Sequence, residues 1–272
     1  VLVMLHNIPS NAGLQAAYRQ KLEGMLCNMT STALKPVLKL YSPEPTLAAD
    51  ASAEDMIAAL KQRFAEWAME HGNEAAETAA WFGAESLATV SSAFKHSLAS
   101  ALGYTVKLAL SSRIEEALQL VVADNVNLIT SIHSVYAEQV QELVLESVYA
   151  GRDLRSLKEA LEDRYGVAAS RAEFIAIDQN NKATGFIEQQ RRLDLGIDES
   201  MWLHSGGGKV PRPSHEAAHR KIYKTAQGCL IVENGIAEYI LPGEKPRCGC
   251  VSAAVIPAFV SWTPQTDVSE YA

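Results

Sequence analysis

Apolar residues along the first two thirds of the chain recur every three or four positions, the spacing of helices packed on one face. Leu14, Tyr18, Leu22, Met25 and Met29 form the first such stripe. Pro36 and then Ser42-Pro43-Glu44-Pro45 break the pattern and predict a loop. Ser52 and Asp55 have the spacing of a capping box and introduce a second stripe, Met56, Leu60, Phe64 and Trp67, which His71-Gly72-Asn73 ends. A third stretch runs through Leu87, Val90, Phe94 and Leu98 to a break near Gly103. Ser112 and Glu115 cap the longest candidate, which carries Ile114, Leu118, Val121, Leu128, Ile132 and Val135. That spacing is close to a heptad and suits packing against a neighbouring helix or a partner. Tyr149-Ala150-Gly151 closes it. Leu154, Leu157 and Leu161 predict a short helix ending at Tyr165-Gly166, and a third capping box, Ser170 to Glu173, starts another with Phe174 and Ile177.

After Gly196 the period shortens. Glycine, proline and β-prone runs take over at Cys229–Val232, Glu238–Leu241 and Cys250–Ile256, and Glu233-Asn234-Gly235 between the first two is a hairpin signal. The expected fold is mostly α with a small C-terminal α+β domain. An elongated helical region precedes a compact domain with a short antiparallel sheet. The predicted divisions are a helical region over 1–165, a compact domain over 166–260 and a polar tail over 261–272.

Composition narrows the class. The 272 residues are 48% hydrophobic and 21% charged, a globular balance. No apolar run reaches the roughly 18 residues of a spanning helix, and the start shows no basic, apolar, small-residue leader pattern. Four cysteines, Cys27, Cys229, Cys248 and Cys250, are too few and too clustered for a disulfide framework and point to a reducing compartment. A net charge of −8 argues against nucleic acid coating the whole surface. The charge is uneven, however. From Met201 to Thr225, Lys209, Arg212, Arg220, Lys221 and Lys224 face a single acid, Glu216. This strip is either a local basic face, able to touch nucleic acid or an acidic protein, or a solvated loop edge.

Three patterns in the last third carry candidate chemistry. His215-Glu216-Ala217-Ala218-His219 matches the zinc-peptidase signature, in which two imidazoles on one helix face grip zinc and the glutamate polarises its water. Its surroundings suit that chemistry poorly. Pro211 and Pro213 allow a helix only from about Ser214, and no further histidine follows at the extended spacing. A structural zinc fits better, with His215, His219, Cys248 and Cys250 as a Cys₂His₂ set and Cys229 as a competitor. Equally open is a metal-free closure, with His215 hydrogen-bonded to a loop and the cysteines packed as small apolar groups. Ser205-Gly206-Gly207-Gly208-Lys209 lacks the spacing of a phosphate loop and reads as a hinge.

Taken in order, the stretch from Ser170 onward is more specific than its parts. It runs Arg171-Ala172-Glu173-Phe174-Ile175-Ala176, Asp178-Gln179-Asn180-Asn181-Lys182, Arg191-Arg192 and Gly196-Ile197. It continues through Trp202, His204-Ser205-Gly206-Gly207, Arg212-Pro213-Ser214-His215 and Pro242-Gly243-Glu244 to Cys248-Gly249-Cys250. This order resembles the C-terminal domain of phage Mu F-like head-morphogenesis proteins over roughly residues 150–257. The N-terminal part, with Pro9 to Tyr18, is similar to minor head proteins in which helices precede this domain. Many relatives carry an acid between the tryptophan and the arginine, where Gly206–Gly208 stands here.

The resemblance implies a non-enzymatic minor capsid protein of a tailed bacteriophage or prophage, associated with the portal vertex. It would act in procapsid assembly, genome packaging or delivery. The implied partners are the portal protein, major capsid or scaffold proteins, packaged DNA and further copies of the chain, with no membrane. The implied location is the virion head, with assembly in the host cytoplasm. Trp202 as apolar anchor, Arg212 and His215 as loop organisers, and Cys248 and Cys250 as closure are the residues expected to matter. A zinc-dependent hydrolase and a DNA-binding head component are the alternatives.

Overall fold

The computed structural model describes residues 2–38, 53–103, 105–149, 154–206 and 211–257. The Ser42–Pro45 loop, Ser52 of the first capping box, Gly207, Gly208, Lys209 and the tail from Ser261 lie outside them. The chain is mostly helical, with short antiparallel strands gathered toward its C-terminal end, as the periodicity predicts.

The helices are α1 (Ala12–Met29), α2 (Lys35–Leu38), α3 (Ala53–Glu70), α4 (Glu74–Leu102), α5 (Ser112–Tyr149), α6 (Leu154–Asp194) and α7 (Pro213–Ala217), with a π-helical stretch, Thr30–Leu34, between α1 and α2. The strands are β1 (Leu2–Met4), β2 (Glu199–Leu203), β3 (Ile222–Lys224), β4 (Cys229–Glu233), β5 (Ile236–Ile240) and β6 (Val251–Pro257). Asn11 Oδ1 accepts from the Leu14 N–H at 2.9 Å and caps α1. At the start of α5 the capping oxygen is that of Ser111, 3.3 Å from the Ile114 nitrogen, one residue before the serine of the expected box.

The expected break at Tyr165-Gly166 is absent. α6 runs without interruption because Leu157, Leu161, Ala168, Ala172 and Ile175 make one buried stripe across that point. A helical glycine costs only about 1 kcal/mol, which such a stripe outweighs. Glu173, expected in a capping box, instead pairs with Arg19 at 2.7 Å.

The chain divides into two compact units, each assembled from separate stretches. One comprises residues 16–81 and 122–176. Its core is Leu26, Met29, Leu34, Met56, Leu60, Phe64, Trp67, Tyr136, Val140, Val144, Leu157 and Leu161. Tyr18 donates its hydroxyl proton to Asn125 at 2.7 Å, so a polar side chain is satisfied inside this unit.

The other comprises residues 1–15, 82–121 and 177–272. It holds an antiparallel sheet in the order β1-β6-β2-β3, with Met4 opposite Val255, Glu199 opposite Val255 and Glu199 opposite Lys224 in register. Strands β4 and β5 form a separate hairpin turned by Asn234 and Gly235, both at positive φ (52° and 79°). Periodicity located the strands around Cys229, Glu238 and Cys250 but missed β1, β2 and β3. Beneath the sheet, Leu5, Ile8, Phe94, Leu98, Leu195, Ile197 and Ala254 make one apolar cluster.

Candidate functional site

The ordered motif residues meet at the turn that leads into β6. Proline and backbone geometry build the approach. Arg212 is extended (φ −79°, ψ 123°) and Pro213, at the first turn of α7, pre-sets the helical φ. The helix is only five residues long. Arg220, at φ 65°, then turns the chain back, and its N–H donates to the Trp202 carbonyl at 2.7 Å. His215 is thereby placed inward, 2% exposed, while His219 is exposed on the turn beyond the helix.

Trp202, fully buried on β2, stands edge-to-face with His215, ring centres 5.1 Å apart. Around the pair lie Ala218, Cys229, Ile231, Ile240, Cys248 and Cys250. His215 Nδ1 faces both sulfurs, 3.4 Å from Cys248 Sγ and 3.8 Å from Cys250 Sγ. Its Nε2 is buried with no hydrogen-bond partner among the described residues. A hydrogen bond between the two thiols holds Cys248 well below the ordinary thiol range, at about 5, and pushes Cys250 up. Backbone N–H groups and His215 add to the fall at Cys248, and burial adds to the rise at Cys250.

The turn itself is held from α6 by side chains that hydropathy does not single out. Asp178 Oδ1 accepts from the Arg247 N–H at 3.2 Å, and Asn181 Nδ2 donates to the Cys248 carbonyl at 3.1 Å. Asn181 Oδ1 in turn accepts from Ser10 Oγ at 2.6 Å. Gly185 lets the Pro242 carbonyl approach so closely that an added Cβ would lie 2.6 Å from that oxygen. Arg212 reaches the same turn from α7, donating to the Pro246 carbonyl at 2.9 Å and pairing with Glu233 at 3.7 Å.

Below it runs a buried polar network. Arg192 forms an ion pair with Glu188 and donates to Ser200 Oγ (2.9 Å), Ser252 Oγ (2.6 Å) and the Ser252 carbonyl (3.1 Å). Burial pushes the Glu188 carboxyl up to about 7, against the pull of Arg192. Removing one member of such a pair costs about 3–5 kcal/mol, because the other is left charged and unpaired.

The candidates named from sequence therefore separate. Trp202, Arg212, His215, Cys248 and Cys250 converge, and His215, Cys248 and Cys250 place one ligand atom each within 4.8 Å of one another. His219 does not join them: its Nδ1 accepts from the His204 N–H at 3.1 Å. Cys229 is buried nearby but outside the ligand group. The zinc-peptidase arrangement is corrected on the same ground. α7 ends at Ala217, so His215 and His219 never share a helix face, and Glu216 stands exposed. In the basic strip, Lys224 is engaged by Glu199 at 2.9 Å, Arg220 and Lys221 are exposed, and Lys209 lies outside the described residues. The signal that could have found Asp178 and Asn181 is a polar run, Asp178 to Lys182, lying inside a helix.

A long helix seated under a small antiparallel sheet, with a Cys-x-Cys turn locked onto tryptophan and histidine, defines the class: a helical protein carrying a compact α+β closure module. Residues 138–253 match the family described as Phage Mu protein F like protein. An uncharacterized protein of Haemophilus influenzae (strain ATCC 51907 / DSM 11121 / KW20 / Rd) is 32% identical over 146 residues, 54% of this chain. The match covers 31% of that relative's own length, so the chain spans about a third of it. No solved structure matches.

Proposed function

We propose that this chain is a minor head protein of a tailed bacteriophage or prophage, acting in head morphogenesis at the portal vertex. The observation that carries the proposal is the family match over residues 138–253, whose ordered motif residues are spent on one buried closure. Trp202, Arg212 and Asn181 all support the turn there. The portal protein is the principal partner, with major capsid or scaffold proteins, DNA and further copies of the chain as secondary ones. No helix among the described residues is long and apolar enough to cross a membrane. The virion head is the location that follows, with assembly in the host cytoplasm.

Co-expression with the portal protein of the same phage, followed by sedimentation and electron microscopy, tests this. Co-sedimentation, with density at defined sites on the portal ring, is expected. Two folded proteins that sediment apart would refute it. DNA contact is a separate question. Arg220, Lys221 and Lys224 are exposed in the basic strip, the last beside Glu199, so any binding should fall steeply with salt and weaken when the three are neutralised.

A further inference from the structure

We propose that His215, Cys248 and Cys250 form a zinc centre that ties the α7 turn to the start of β6. The donor set is one imidazole nitrogen and two thiol sulfurs, soft and borderline ligands that suit Zn²⁺. Bond lengths of about 2.0–2.1 Å to nitrogen and 2.3 Å to sulfur put neighbouring N and S ligands of a tetrahedral zinc about 3.6 Å apart. The two measured separations, 3.4 and 3.8 Å, bracket that value. All three residues are buried, and one Nδ1 faces both sulfurs, more than a single S–H···N hydrogen bond requires.

The surrounding supports fix the ligands. Asn181 holds the Cys248 carbonyl and Asp178 the Arg247 N–H, so the Cys-x-Cys turn is set by α6 before any metal arrives. Trp202 fixes the imidazole plane. The donors also come from stretches more than thirty positions apart in sequence, so a metal joining them closes a long loop and should stabilise the fold. No fourth His, Cys, Asp or Glu among the described residues joins the set, which leaves the fourth position of a tetrahedral zinc to a solvent oxygen. A cavity of about 80 Å³, lined by Cys250, Glu188, Ser10 and Asn181, offers room for ordered water beside the cluster. The arrangement differs from the sequence-derived Cys₂His₂ set by excluding His219, and it does not depend on portal binding.

The test is metal analysis of the full chain, purified under reducing conditions from zinc-supplemented cells. Stoichiometric zinc is expected, with a lower melting temperature after chelation that zinc restores. Cobalt in place of zinc should give a near-ultraviolet thiolate-to-metal band. Cys248→Ser, Cys250→Ser and His215→Gln should lose the metal, whereas His219→Gln should keep both metal and band. If the first three fail to fold, the cobalt spectrum of the unaltered chain and the His219→Gln variant still decide. A folded chain with only trace metal and no cobalt band overturns the proposal. So does metal lost from His219→Gln but kept by Cys250→Ser. Failure to bind the portal would leave all of these readings unchanged.

Discussion

Several side chains here are decided by what they are buried against. His133 packs edge-on to Trp67, whose other neighbour is the stacked ring of His71. Burial, helped by the nearby His71, lowers the pKa of His133 from 6.5 to about 4. A neutral His133 in the folded chain and a protonatable one in the unfolded chain set the sign. Its contribution is complete above pH 6.5 and is lost as pH falls through about 4, worth about 3 kcal/mol in all. Glu188, raised to about 7, shifts stability the opposite way over the same range, so equilibrium denaturation between pH 7 and 4 should show this loss as the difference between the unaltered chain and His133→Leu. An unchanged slope in the variant would remove His133 as the cause. Sequence alone places His133 beside Ile132 on α5 but cannot show the two rings that enclose it. The same limit hides Asn125, a polar residue on a buried face whose Oδ1 accepts the Tyr18 hydroxyl proton.

At the scale of elements, capping signals and glycines were the least dependable guides, and periodicity the best. The stripes of α1 and α3 are buried residue for residue. On α5 the near-heptad face is spent inside the chain: Ile114, Val121 and Ile132 are buried, Leu118, Leu128 and Val135 flank them, and Asn125, Ile129 and Tyr136 complete the stripe. Two glycines of α6 give opposite expectations. Around Gly166 no atom lies within 4 Å of an added Cβ, so Gly166→Ala should stabilise by about 0.5–1 kcal/mol. At Gly185 the same methyl meets the Pro242 backbone oxygen, so Gly185→Ala should destabilise by about 1–3 kcal/mol and displace the Pro242-Gly243 loop. Urea midpoints of the two variants, measured together, check both signs. Equal shifts would mean that the loop does not press on α6.

For the whole molecule, the interleaving of the two units matters most. The family segment is continuous in sequence, but the unit that holds its sheet also takes in residues 1–15 and 82–121. Strand β1 covers the edge of β6, and Leu5, Ile8, Phe94 and Leu98 cover Leu195 and Ile197. A fragment confined to residues 138–257 should therefore lack cooperative melting and near-ultraviolet dichroism, and should bind an apolar dye. A fragment with a sharp, two-state melt would show that these outlying stretches are dispensable.

From sequence alone came the helical class, the positions of most helices, the hairpin at Asn234-Gly235 and the ordered residues from Trp202 to Cys250. These follow from local rules: a 3.6-residue period, positive-φ turn chemistry and motif order. Only the tertiary structure decided which candidates meet. Whether an imidazole faces two sulfurs or solvent depends on where α7 stops and how Arg220 turns the chain. It also depends on which α6 side chains hold the turn from below. The buried polar residues of α6, Glu188 and Arg192 among them, carry no apolar signal, and a partner tens of residues away cannot be read from spacing. Long-range pairing turned His215, Cys248 and Cys250 into one site and left His219 outside it.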